Sequence, residues 1–121
     1  MAEDEAAHPA ERLIDDLLGA FSSSRREAAQ FLWANGAAKL RRSAGGTEHL
    51  ERLLGNELFS PLIDSRGTER GPLERIGDSA RQVLTVAALD GGRARFLVSL
   101  KRSNSAGDGE RWLITGLERE W

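Results

Sequence analysis

The first half of this chain is patterned at helical spacing, whereas its last third reads as three consecutive apolar runs joined by short turns. The runs are Gln82 to Leu89, Arg93 to Arg102 and Glu110 to Glu120. Strands joined this closely pair as antiparallel neighbours, and such a meander needs one face covered. The element order therefore predicts an α+β fold in which three N-terminal helices pack on a four-stranded antiparallel sheet.

The helices have local signals. Pro9 suits a first helical turn because it has no amide proton to leave unpaired. Leu13, Ile14, Leu17, Leu18 and Phe21 then recur along one stripe, with Glu11, Arg12, Asp15 and Asp16 facing elsewhere. Ser24 followed by Glu27 is a capping-box pattern for a second helix carrying Ala28, Ala29, Leu32 and Trp33, which Asn35-Gly36 ends. A short helical turn is expected between Ala37 and Arg42. Thr47 is a candidate N-cap for a third helix with the stripe Leu50, Leu53, Leu54 and Leu58. Phe59-Ser60-Pro61 is expected to leave helical conformation, since a residue before proline is pushed toward extended geometry.

Glu69 to Ile76, interrupted by Pro72, reads as an edge strand, and Gly77-Asp78 as a turn. Asp90-Gly91-Gly92 is a hairpin signal, because glycine supplies the positive φ that tight hairpins demand. Ser103 to Gly109 reads as a longer polar hairpin loop. Along the middle strand Ala94, Phe96, Val98 and Leu100 share one face, and Arg95, Leu97, Ser99 and Lys101 the other. Its neighbours look apolar on both faces: Val83, Thr85, Ala87 and Leu89 alternate with Leu84, Val86 and Ala88, and Trp112 and Ile114 alternate with Leu113, Thr115 and Leu117. Helices can cover only one face of such a sheet, so the second face either packs on a second subunit or is partly exposed, its alanines and threonine needing no partner; a homodimer through it is the expectation.

Composition narrows the partners. A chain of 121 residues suits one domain, here 9–121 after a short acidic N-terminus, 1–8, expected to fray. A net charge of −2 without a clustered basic surface argues against nucleic-acid binding. There is no apolar run long enough to span a membrane, and the acidic start is unlike a basic, then apolar, signal peptide; a cytoplasmic location is expected. The absence of cysteine excludes disulfides, thiolate catalysis and cysteine-bound metal.

No catalytic motif stands out, and none is assigned. His49, flanked by Glu48 and Glu51, fits a solvated helix face better than a general base, and His8 lies too far from it in the chain to suggest a metal site; no metal or cofactor is expected. Asp15 and Asp16 point about 100° apart on a helix, with Arg12 as an ordinary helix partner. Ser22-Ser23-Ser24 has no companion base, and the paired glycines lack the spacing of a phosphate loop. Arg81 and Arg95, on adjacent strands, could hold an anion or stay in water. Trp33, Phe59, Phe96 and Trp112 are the aromatics expected to meet between helices and sheet, as core or as the lining of a pocket for a small apolar ligand.

The ending Glu110-Arg111-Trp112-Leu113-Ile114-Thr115-Gly116-Leu117, after helices and a meander, resembles the nuclear transport factor-like, or cystatin-like cone, superfamily. Phe31-Leu32-Trp33-Ala34-Asn35-Gly36 and the sheet after Pro61 are similar to a group of small bacterial domains of unknown function. The resemblance implies a curved, cone-shaped sheet with helices closing over its concave side, often around a pocket, and commonly a dimer. Enzymes of that superfamily use carboxylates, tyrosines or histidines in the pocket. This chain has no tyrosine, and Phe96, Val98, Trp112 and Ile114, the expected inward positions, carry no acid or base. The sequence is therefore read as a non-enzymatic ligand-binding or protein-interaction module; the alternative is a small isomerase- or lyase-type enzyme using a pocket residue without a motif.

Overall fold

The computed structural model describes residues 9–56, 59–63, 65–89, 91–105 and 109–120; the N-terminal segment 1–8 and Leu58 lie outside them. Among the described residues, five helices precede an antiparallel sheet of five strands. The sequence pattern predicts the α+β class and the element order, with two helices and one strand fewer.

Helix α1 (Pro9–Ser23) opens the described residues and buries Ala10, Ile14, Leu17 and Phe21, while Leu13 and Leu18 pack at the margin of that stripe. Ser24 is extended, at φ −169° and ψ 161°, and its side chain accepts a 3.0 Å bond from the Glu27 amide. That bond satisfies one of the amides that a helix start leaves without an internal partner, and it opens α2 (Arg25–Ala34). The expected turn after residue 36 is a seven-residue helix, α3 (Ala38–Ala44), which closes on Gly45 at φ 81°.

Two expectations are corrected in the next stretch. Helix α4 (Thr47–Leu54) is preceded by Gly46 as its N-cap, so Thr47 is the first helical residue and makes no capping bond. Phe59-Ser60-Pro61 does not leave helical conformation but leads into a single turn, α5 (Ser60–Ile63). Asn56 makes that possible: its side-chain oxygen accepts from the Phe59 amide at 3.0 Å and its carbonyl from the Ser60 amide at 2.9 Å. Pro61 then falls in a first turn, where a missing amide proton costs nothing.

The expected single edge strand is two, β1 (Ser65–Arg70) and β2 (Glu74–Ile76), separated by Gly71-Pro72-Leu73 and both paired antiparallel to β3 (Ser79–Ala88). Proline cannot donate to the ladder, so pairing lapses around Pro72 and resumes beyond it. β3 pairs with β4 (Arg93–Ser105), and β4 with β5 (Gly109–Glu120). The β3–β4 turn is tight: Gly91 takes φ 94°, and the Ala88 amide donates to the Gly92 carbonyl at 2.9 Å. Of the expected polar loop Ser103 to Gly109, the first three residues belong to β4 and Gly109 to β5, and 106–108 lie outside the described residues.

Phe96, Val98, Leu100, Leu84, Val86 and Ile114 form the inner face under the helices, nearly or fully buried. One irregularity changes which residues reach it. The β4–β5 register slips between Ser99 and Leu100, which pair with Gly116 and Ile114, so Thr115 is an extra residue in a β-bulge. Beyond the bulge the parity reverses. Leu117, expected on the outer face with Leu113 and Thr115, pairs with Val98 and packs inward against the core.

The bulge lies beside the main tie between helices and sheet. Ile114 donates to the Asn35 carbonyl at 2.8 Å and accepts from the Ala37 amide at 2.8 Å, which makes Gly36 an isolated parallel bridge partner of β5. A Cβ on Gly36 would lie 2.5 Å from the Leu32 carbonyl oxygen and 2.8 Å from Leu40 Cδ2. The approach therefore requires glycine. Replacing Gly36 by alanine is expected to destabilise the fold by about 1–3 kcal/mol through overpacking. Gly19→Ala, in α1 with nothing within 4 Å of the added carbon, is expected to stabilise it by about 0.5–1 kcal/mol. Urea denaturation midpoints of the two variants should move in opposite directions.

Candidate functional site

Each aromatic singled out in the sequence has a definite place. Phe96 is fully buried and its ring centroid lies 5.9 Å from that of Phe59, tilted by 33°. Trp112 is buried in the same core cluster. Trp33 is half-buried on α2, where the Arg41 guanidinium lies 5.5 Å from its ring centroid. Arg41 Nε also donates to the Trp33 carbonyl at 2.9 Å, and Arg111 reaches the Ala34 carbonyl at 3.3 Å. These two cations bind the open carbonyls at the C-terminus of α2, which is a structural task. Phe59 alone of the four borders an apolar cleft, described below.

The polar candidates also resolve into packing. Asp15 forms an ion pair with Arg70 of β1, 55 residues away. Arg70 Nε donates to Gln82 Oε1 at 3.2 Å, and Gln82 Nε2 donates to the Gly71 carbonyl at 2.6 Å. Gln82 is the buried polar residue of the described core, so both ends of its amide are used where burial would otherwise make them costly. Arg81 lies 2.8 Å from Glu74, and Arg95 3.6 Å from Glu120. Each expected anion-holding arginine thus faces a carboxylate of its neighbouring strand. His49 is exposed on α4, and His8 lies outside the described residues.

The outer face of the sheet lies opposite the face that packs under the helices. Register places Glu69, Thr85, Arg95 and Glu120 in one row across it, Val83, Leu97 and Glu118 in the next, and Ile76, Ser79, Lys101 and Leu113 toward the far end. Val83, Thr85, Leu97, Ser99, Leu113 and Thr115 are half-buried there by their neighbours alone. Ile76, 74% exposed, stands at the margin of an open groove of about 470 Å³ that Arg81, Ser99, Lys101 and Thr115 also line. Cations lie on the central strands and carboxylates along the flanks.

The apolar cleft lies elsewhere, among α2, α3 and α4, with a volume of about 120 Å³. Leu32, Leu40, Leu50, Leu53, Leu54 and Leu117 line most of it. The sequence left the four aromatics as core or as pocket lining; Phe96 and Trp112 are buried in the core cluster, and Phe59 borders this cleft. Leucines of the helical stripes, joined by Leu117 after the bulge, surround the space that remains. Arg119 was also missed; the same reversal of parity carries it inward, 6.0 Å from the Phe96 ring centroid.

Comparison with family models, with curated proteins and with solved structures found no match. No helix among the described residues is long and apolar enough to cross a membrane.

The Gln82 network makes a separable prediction. Gln82→Leu removes a donor from the Gly71 carbonyl and an acceptor from Arg70, and is expected to cost about 1–3 kcal/mol in chemical denaturation. Asp15→Asn, at the solvated end of the same chain of contacts, is expected to cost less than about 1 kcal/mol.

Proposed function

We propose that this protein is a non-catalytic binding module of the nuclear transport factor-like type, and that it pairs with a second copy of itself through the helix-free face of its sheet. The observation that carries this reading is the outer row pattern. Antiparallel sheets that face water usually alternate apolar-in with polar-out, whereas here Val83, Leu97 and Leu113 occupy outward positions and Ile76 stands exposed beside them. Arginine and lysine on the central strands and glutamates on the flanks give one surface both signs of charge, as self-association requires.

The size of the face sets the strength. Strand spacing and rise make it roughly 15–20 Å by 25–30 Å, so two copies would bury on the order of 1,000 Å² in total, at the lower edge of specific interfaces. A reversible, concentration-dependent dimer is the form this geometry supports. The superfamily resemblance is supported by element order: helices first, then a meander whose inner face they cover. The non-catalytic reading is supported by the inner face, where Phe96, Val98, Ile114 and Trp112 are packed as core.

Sedimentation equilibrium from low to high micromolar concentration should give a mass rising toward two chains. Leu97→Glu, which sets a carboxylate at the centre of the face beside Glu118, should leave a folded monomer across the same range. A wild-type chain that stays at the monomer mass throughout would refute the proposed pairing.

A further inference from the structure

The cleft among the helices is independent of the sheet face and has a more specific chemistry. Its walls come from Leu32 of α2, Leu40 and Ala44 of α3, Leu50, Leu53 and Leu54 of α4, with Phe59 and Leu117 closing the remaining sides. Among the described residues Ser43 supplies the one hydroxyl in the lining, and no ionisable side chain contributes to it. A charged ligand group would lose its hydration there without a counter-charge. The occupant must be neutral and apolar where it is enclosed.

Volume restricts it further. A cavity of about 150 Å³ lined by similar side chains stays dry and holds benzene. At about 120 Å³ this cleft is smaller, and its walls are mostly branched aliphatic side chains, which a flexible chain can thread between more easily than a rigid ring. Access is built into the same region. Helix α3, which forms one wall, has seven residues and is held between Gly36 on one side and Gly45-Gly46, at φ 81° and 155°, on the other. Neither Gly45 nor Gly46 has any atom within 4 Å of where a Cβ would stand, so no side chain crowds the connection between α3 and α4 there.

We propose that this cleft binds the end of a neutral aliphatic chain, a few methylenes long, with the polar end of the ligand left at the mouth beside Ser43. Burial of each methylene contributes about 0.8 kcal/mol, so a short alkyl segment gives weak but saturable binding. Nothing in the proposal depends on dimerisation.

The test uses hexan-1-ol as probe and the full chain with carbon-13-labelled leucine methyls, followed by NMR. Saturable shifts should be confined to the methyls of Leu32, Leu40, Leu50, Leu53, Leu54 and Leu117. Leu97 and Leu113, on the outer face, should not move, which separates this site from the proposed dimer surface. Ala44→Leu fills the cleft from α3 and should weaken binding at least about tenfold, the worth of about two buried methylenes. Leu53→Phe does the same from α4 and replaces that variant if it does not fold. The proposal is overturned if no saturable shift appears up to the solubility of the probe, if the shifts fall on Leu97 and Leu113 of the outer face instead, or if a folded, filled variant binds as well as the parent.

Discussion

The fold depends on one close backbone approach, that of Gly36 to Ile114. Two hydrogen bonds of 2.8 Å join the turn after α2 to the middle of the last strand, and they form only because residue 36 has no Cβ to meet the Leu32 carbonyl and the Leu40 side chain. Three consequences follow. The edge of β5 is occupied at that point, which protects it from pairing with another chain. The direction of α3 is set, since it begins two residues beyond the bridge. The bulge at Thr115 follows immediately, so the strand turns Leu117 and Arg119 inward where simple alternation would have turned them out. The tie between the helical half and the sheet is therefore also what shapes the cleft.

A second, weaker tie holds the opposite edge. Gln82 on β3 and Arg70 on β1 link the broken edge strand to α1 through Asp15. The two ties differ in kind. The Gly36 bridge is made of main-chain bonds at a buried glycine, whereas the Asp15–Arg70 pair is partly solvated and contributes little by itself. What makes the second tie matter is the buried amide of Gln82, which would be left without partners if β1 moved away.

Features that depend on local chemistry or on short periodicity were legible in the sequence: the α1 stripe, the Ser24 cap, the Gly91 turn and the one-sided β4. Features that depend on contacts between distant residues were not. Ser65-Arg66-Gly67-Thr68-Glu69-Arg70 has no apolar alternation, and it is a strand because β3 offers it a partner, so its true start lies beyond the reach of pattern. Leu117 was assigned to the wrong face because a single extra residue, induced beside a bridge to residue 36, reverses everything after it. The aromatics could be read from sequence only as core or pocket lining, because which of them border a gap depends on how the helices pack. The remaining gap is bordered by leucines of helices whose mutual packing the chain does not spell out locally. The outer-face pattern of Val83, Leu97 and Leu113 was legible because it needs nothing but period two.

A sheet offers two faces, and on the proposed reading they serve different ends. The inner face is given over to folding: its large side chains are buried, and its buried amide at Gln82 has both ends engaged. Among the described residues, leucines, alanine, phenylalanine and one serine line the cleft, a lining suited to an apolar occupant. The outer face carries half-buried Val83, Leu97 and Leu113 at positions where solvent alone would favour polar side chains. The proposed pairing would account for that pattern, because a second copy of the same sheet presents a surface of the same mixed character.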